Sequence, residues 1–299
     1  MDRSIAASKE RGTSLSARIG AVCLGLLGWP PGPPPLPHEH GAWLMLYAPL
    51  VISFLAVRPG SLVPPLLLTL LVTGAFLGQN AARLLIRRRR KEGAAFWLGI
   101  YLALLAAGAI PLLFRYRLST LLPVGGLATG LFGLHTLLSF SPAGKRQDRS
   151  LWGEILAVGA LTLTGPAAYI VSRQALDSLA WYIWAGSVAY FSSGIFYVHM
   201  LLSAARVKGS FGSRDRWRLG GAALLYHLLL AILVAVVAIT GGQGGRLTAI
   251  AYTPAMVRAF WGWATLSNTL PPLKQVGLRE ACYTLWFTGF FPAALLVSS

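Results

Sequence analysis

Apolar residues fall in nine long runs, at 42–57, 62–86, 95–114, 119–140, 151–172, 178–203, 219–240, 247–267 and 281–297, with short polar breaks between them. Most approach the ~20 residues that a helix needs to cross a bilayer. A water-soluble fold would require nine core helices with almost no polar face, which the pattern excludes. The expected architecture is an all-α, polytopic bundle of about nine transmembrane helices, forming a single domain over 38–299 because the breaks are too short for a soluble appendage. Prolines 64, 65, 111, 123, 166 and 254 lie within the runs. Breaks in the spanning helices are expected there, since membrane helices tolerate proline where neighbours satisfy the freed carbonyls. The small residues of Gly125-Gly126-Leu127-Ala128-Thr129-Gly130 suit close helix approach.

Residues 1–37 stand apart. A polar start is followed by an apolar stretch from Ile19 to Trp29 and then by Pro30-Pro31-Gly32-Pro33-Pro34-Pro35. No small-residue cleavage site follows the apolar stretch, and proline prevents its continuing as a helix. A flexible cytoplasmic arm is expected, with an over-extended start as the other reading.

Charge adds an orientation. Counting the N-terminus and every second break, with the segment ends beside them, 20 of the 26 Lys and Arg lie on one side. The intervening breaks hold five, and Arg258 lies inside the eighth run. The excess of Lys and Arg in cytoplasmic loops places the N-terminus inside and the C-terminus outside. Hydrophobic residues make up 55% and charged ones 12%, and the mean hydropathy is +0.62. A net charge of +17 invites a nucleic-acid reading. The basic residues sit at segment ends without an RNA- or DNA-binding motif, so anionic headgroups are the expected partner and nucleic acid is not. Cys23 and Cys282 form no CxxC and define neither a disulfide framework nor a zinc site.

A few polar residues are out of place in such a chain. In Pro37-His38-Glu39-His40-Gly41-Ala42-Trp43, Trp43 suits headgroup depth. His40 is open to three readings: an interfacial cap, a catalytic or ligand-orienting residue, or a metal ligand lacking the rest of its shell. Glu154, at the start of the fifth run, is favoured there by the helix dipole and is also a candidate general base or arginine partner. Asn80, Arg83 and Arg87 are spaced three and four apart, as are His199, Ser203 and Arg206, so each set lies along one helix face. The two stripes descend to the same membrane side. That is the pattern of a parallel duplication and also of ordinary cytoplasmic helix ends. A cation at the position of Arg258 costs several kcal/mol unless paired or hydrated, so it calls for a polar cavity or an anionic ligand. His135 and His227 are the other intramembrane histidines, with no spacing that demands haem. The expected site is a shared cytoplasmic-side cavity lined by His40, Asn80, Glu154, His199 and Arg258, in which Glu154 is the only carboxylate. His40, Glu154 and His199 are its candidate catalytic residues. Trp43, Asn80, Arg83, Arg87, Lys145, Arg206 and Arg258 are its candidate ligand-binding residues. No metal is assigned and no cofactor is named.

Pro37 with His40-Gly41-Ala42-Trp43, Pro49, Gly153-Glu154, and Pro271-Pro272-Leu273-Lys274 with Gly277 and Glu280 resemble the YwiC-like family of bacterial membrane proteins across roughly 37–290. That resemblance implies a multi-pass protein of the bacterial cytoplasmic membrane, with no established reaction. More distantly the chain resembles the UbiA superfamily of intramembrane prenyltransferases in its nine helices, its inside N-terminus and the polar ends of its second and sixth helices. In that superfamily two Asp-rich motifs hold diphosphate through magnesium. Here Asn80 is followed by Ala81 and Leu84 at the Asp positions, and the sixth segment ends without a carboxylate. Magnesium favours oxygen ligands, chiefly carboxylates, so ordinary magnesium-dependent prenyl transfer is not expected. The resemblance implies a UbiA-like arrangement that binds or modifies an isoprenoid or other anionic amphipathic lipid at the cytoplasmic face, with Arg83, Arg87, Lys145 and Arg206 supplying the charge. A transporter or a non-catalytic partner of a membrane complex is the alternative.

Overall fold

The computed structural model describes residues 32–37, 40–86, 93–140, 151–269 and 271–298. Among them every regular element is helical. In order they are α1 (His40–Val57), α2 (Val63–Ile86), α3 (Ala94–Ile110) running on into a π turn (Pro111–Arg115), α4 (Leu121–Phe140), α5 (Leu151–Leu161), α6 (Thr164–Arg173), α7 (Ser178–Ala204), α8 (Ser213–Thr240), α9 (Gly242–Ala264) and α10 (Leu273–Ser298). With α5 and α6 taken as one broken rod, these match the nine apolar runs. Among the described residues seven rods are long and apolar enough to cross a membrane; α1 is apolar but shorter, and α9, with Arg246 and Arg258, is not among the seven. In lipid each peptide group must be satisfied within its own helix, so runs apolar on all sides fold as complete helices.

Two helices start earlier than hydropathy suggests. At α8 the Asp215 carboxylate accepts the Gly212 amide at 3.2 Å, which draws the basic Arg214, Arg216 and Arg218 onto the first turns. At α10 the helix begins at Leu273, so Glu280 is helical.

Two compact units divide the chain, Met1–His38 with Leu66–Arg115, and Glu39–Pro65 with Tyr116–Ser299. In the first, α2 and α3 cross where glycines let their backbones meet. A Cβ on Gly108 would stand 2.3 Å from the Leu67 carbonyl oxygen, and one on Gly74 would stand 2.5 Å from the Leu105 amide nitrogen. The proline-rich residues 32–37 are tied to this pair. Asn80 Nδ2 donates to the Pro35 carbonyl at 2.6 Å, and Trp97 Nε1 donates to that of Gly32 at 2.8 Å.

In the second unit the break between α5 and α6 has a local cause. Pro166 has no N–H to offer the Thr162 carbonyl four residues back. The Gly165 amide takes that acceptor at 3.0 Å, and the chain tightens there. Ser53 Oγ of α1 donates to the Gly165 carbonyl at 2.8 Å, while Thr164 Oγ1 donates to that of Leu46 at 2.7 Å. Buried hydroxyls thus lock α1 onto the break. An aromatic core joins α7, α9 and α10: Tyr190 stacks on Phe287 at 4.0 Å, Phe287 on Phe291 at 4.9 Å, and Tyr252 Oη donates to the Gly186 carbonyl at 2.6 Å.

The α6–α7 corner gives a pH-dependent prediction. Asp177 caps α7, accepting the Leu179 and Ala180 amides at 2.9 and 3.4 Å and the Tyr169 hydroxyl at 2.6 Å. Burial pushes its carboxyl upward, but these hydrogen bonds prevail and hold it below the usual carboxylate range. A carboxyl lowered by folding stabilises above its unfolded value of about 4 and loses that contribution as pH falls through the folded value. Asp177→Ala is expected to cost about 1 kcal/mol at neutral pH. The difference from the parent should shrink in acid; thermal unfolding of both proteins at pH 7 and pH 3 measures it, and a pH-independent difference would count against the cap.

Candidate functional site

Two polar constellations are built in the second unit. The first joins α5 to α7. Glu154 sits in the first turn of α5, where free backbone amides favour a carboxylate, and His199 lies near the end of α7. His199 Nε2 and Glu154 Oε2 are 3.0 Å apart. Their side chains are 30% and 39% exposed, so the pair is open to proton exchange with its surroundings. Trp184 Nε1 donates to the Gly159 carbonyl at 3.0 Å, tying the same two helices a second time. A carboxylate bound to one imidazole nitrogen fixes the tautomer and stabilises the imidazolium.

The second constellation surrounds Arg258 on α9, which is 8% exposed. Its Nη1 donates to Glu280 Oε2 of α10, and its Nη2 donates to Ser193 Oγ of α7 at 2.7 Å. The guanidinium lies over the Tyr197 ring, 4.7 Å from the centroid, with Tyr283 at 6.0 Å. Gly262 makes this geometry available, because a Cβ there would stand 2.5 Å from the Tyr197 ring. Three helices therefore meet at one neutralised cation, held by charge-assisted hydrogen bonds and cation–π contact.

Of the residues expected from the sequence, Glu154 and His199 are brought together. Glu154 is not the only carboxylate available to the arginines singled out. Arg258 pairs with Glu280, which the apolar pattern placed before the ninth run and which is instead helical and faces α9. Asn80 and Arg83 belong to the first unit, on the last turns of α2, where Asn80 holds the 32–37 segment. Trp43 stacks on Tyr47 along α1, with centroids 6.0 Å apart. Arg206 lies two residues beyond α7 and is exposed. The His40 side chain, Arg87 and Lys145 lie outside the described residues. Ser193, Tyr197 and Glu280 went unread as site residues. Two signals point to them: Arg258 needs an intramembrane counter-charge, and Ser193 and Tyr197 are four apart on one helix face. Among the described residues no three His, Cys, Asp or Glu side chains gather as a metal site would. His227 donates through Nδ1 to the Ala223 carbonyl at 2.7 Å.

Among the described residues, seven apolar rods of spanning length define a multi-pass helical membrane protein. Within that class, the model of the YwiC-like protein family matches residues 36–169. The chain is 24% identical over 257 residues to the uncharacterized protein YwiC of Bacillus subtilis strain 168, an alignment covering 84% of this chain and 95% of that protein. No solved structure matches.

Proposed function

We propose that the chain is a YwiC-like protein of the bacterial cytoplasmic membrane that binds an anionic amphipathic lipid at its cytoplasmic face, with Glu154 and His199 holding or moving a proton beside the headgroup. The observation that supports this reading is the Glu154–His199 contact, at helix ends that the sequence flanks with basic residues. The N-terminus lies inside and the C-terminus outside, on the strength of the Lys and Arg distribution. Arg206, just beyond α7, supplies a fixed positive charge near the pair, and guanidinium suits phosphate geometry. A UbiA-like arrangement of the spans belongs to the same reading, supported by the nine rods among the described residues. Without the Asp-rich motifs, charge at the headgroup comes from arginine rather than from magnesium.

Mass spectrometry of lipids accompanying the purified full chain tests the proposal. The parent should retain an anionic lipid, and His199→Ala/Arg206→Ala should lose most of it. An unchanged lipid profile in the variant would sink the reading. Substrate flux through proteoliposomes would support a transporter instead, and recovery of a stable protein complex would support a partner role.

A further inference from the structure

Residues 32–37 show their neighbours a backbone of acceptors. Positions 33, 34, 35 and 37 are proline and carry no N–H, and the Leu36 amide donates to the Pro34 carbonyl at 2.8 Å. From Pro33 to Pro37 no backbone donor is left over. The end of α2 and the start of α3 meet this segment with side-chain donors, Asn80 Nδ2 on the Pro35 carbonyl and Trp97 Nε1 on that of Gly32. An indole can only donate, so the Trp97 position suits a carbonyl and cannot pair with an N–H. The Pro35 ring is buried, while Pro33, Pro34 and Leu36 are exposed.

The seat that holds the segment is built from contacts of its own. Trp97 stacks on Tyr101 with centroids 6.1 Å apart and meets Phe96 edge-on at 5.7 Å. Tyr101 is buried beside Gly78 of α2, where a Cβ would stand 3.6 Å from the Tyr101 Cβ. That contact, two residues before Asn80, brings the Asn80 and Trp97 turns of the two helices together. Selectivity follows from the missing N–H groups. An ordinary segment would bring amides that the seat leaves unpaired at a cost, whereas proline brings none. Its ring also fixes φ, so less conformational freedom is lost on docking. Aromatic-lined grooves bind proline-rich segments for that reason.

We propose that the α2–α3 end is a docking seat for a proline-rich segment of a partner protein, kept filled by the chain's own residues 32–37 as a removable strap. The strap defines what the seat accepts: free carbonyls three residues apart, a proline ring at the second of them, and no N–H between. A tethered occupant competes at an effective concentration on the order of millimolar, so a partner gains the seat only when the strap is weakened or displaced. The seat lies within the first unit and is independent of the Glu154–His199 reading.

A fluorescent peptide with the sequence of residues 32–37, Gly-Pro-Pro-Pro-Leu-Pro, is the probe, and Gly-Ala-Ala-Ala-Leu-Ala is the comparator. Fluorescence anisotropy follows the binding of each to the full chain in mild detergent. The parent, with its strap in place, should bind the proline peptide weakly. Pro35→Asp, which puts a charge where the ring is buried, should release the strap and tighten binding of that peptide roughly tenfold or more. In the same background Trp97→Phe should weaken it again about tenfold, for one lost hydrogen bond. The alanine peptide should gain nothing from Pro35→Asp. Pro35→Ala, which removes only the ring, is the milder release variant if Pro35→Asp does not fold. A strap that merely braces the helices predicts a lower melting temperature in the release variants and no gain in peptide binding, which would overturn the proposal. So would equal binding of the two peptides, or binding indifferent to Trp97→Phe.

Discussion

Arg258→Ala is expected to destabilise the protein by roughly 3–5 kcal/mol, because it leaves the Glu280 carboxylate in a membrane-buried setting without its counter-charge. Ser193 Oγ and the Tyr197 ring lose their central partner in the same step. Glu280→Ala should cost a comparable amount by stranding the guanidinium. Replacing both together, as Arg258→Ala/Glu280→Ala, should cost far less than the sum, since desolvated charges and their attraction disappear as a pair. Detergent-mediated unfolding of the four proteins yields the coupling energy as a double-mutant cycle. Additive effects, or an Arg258→Ala change within about 0.5 kcal/mol of the parent, would show that the contact does not hold α9 to α10.

Gly108→Ala is expected to cost about 1–3 kcal/mol, near the upper end, because the added methyl meets backbone rather than a movable side chain. Its nearest neighbours would be the Leu67 carbonyl oxygen at 2.3 Å and the Leu71 amide nitrogen at 2.7 Å. Relief requires α2 and α3 to separate, which also disturbs the Gly74 contact. Gly99 on the same helix is the control, since nothing lies within 4 Å of a Cβ there. Gly99→Ala should be neutral or slightly stabilising through helix propensity. Equal melting temperatures for the two variants would disprove the close crossing.

The small-residue signal is instructive when these glycines are set beside those of α4. The sequence draws the eye to Gly125, Gly126 and Gly130, yet nothing stands within 4 Å of a Cβ at any of them. The backbone approach occurs at the isolated Gly74 and Gly108. Glycine permits contact without demanding it, and only the positions of two helices together decide which glycine is used.

A similar limit applies to the polar residues. Glu154 and His199 could be singled out because each is anomalous in its own apolar run, but their meeting depends on α5 packing against α7. Proline is subject to the same limit. The fifth span breaks beside Pro166, but Pro254, where a break is equally expected, lies inside the continuous α9, as Pro49 and Pro292 lie inside α1 and α10. The missing N–H alone does not decide where a helix breaks.

Sequence by itself determined the helical class and nine rods, because lipid leaves the backbone no partner but its own carbonyls. It also determined that Arg258 must be compensated, since an isolated cation at that depth is too costly. The tertiary structure decided by what. Glu280 answers Arg258 because α10 begins at Leu273 and packs on α9, while Glu154 turns to His199. Helix formation is governed by neighbours along the chain, whereas ion pairing is governed by which faces of distant helices meet.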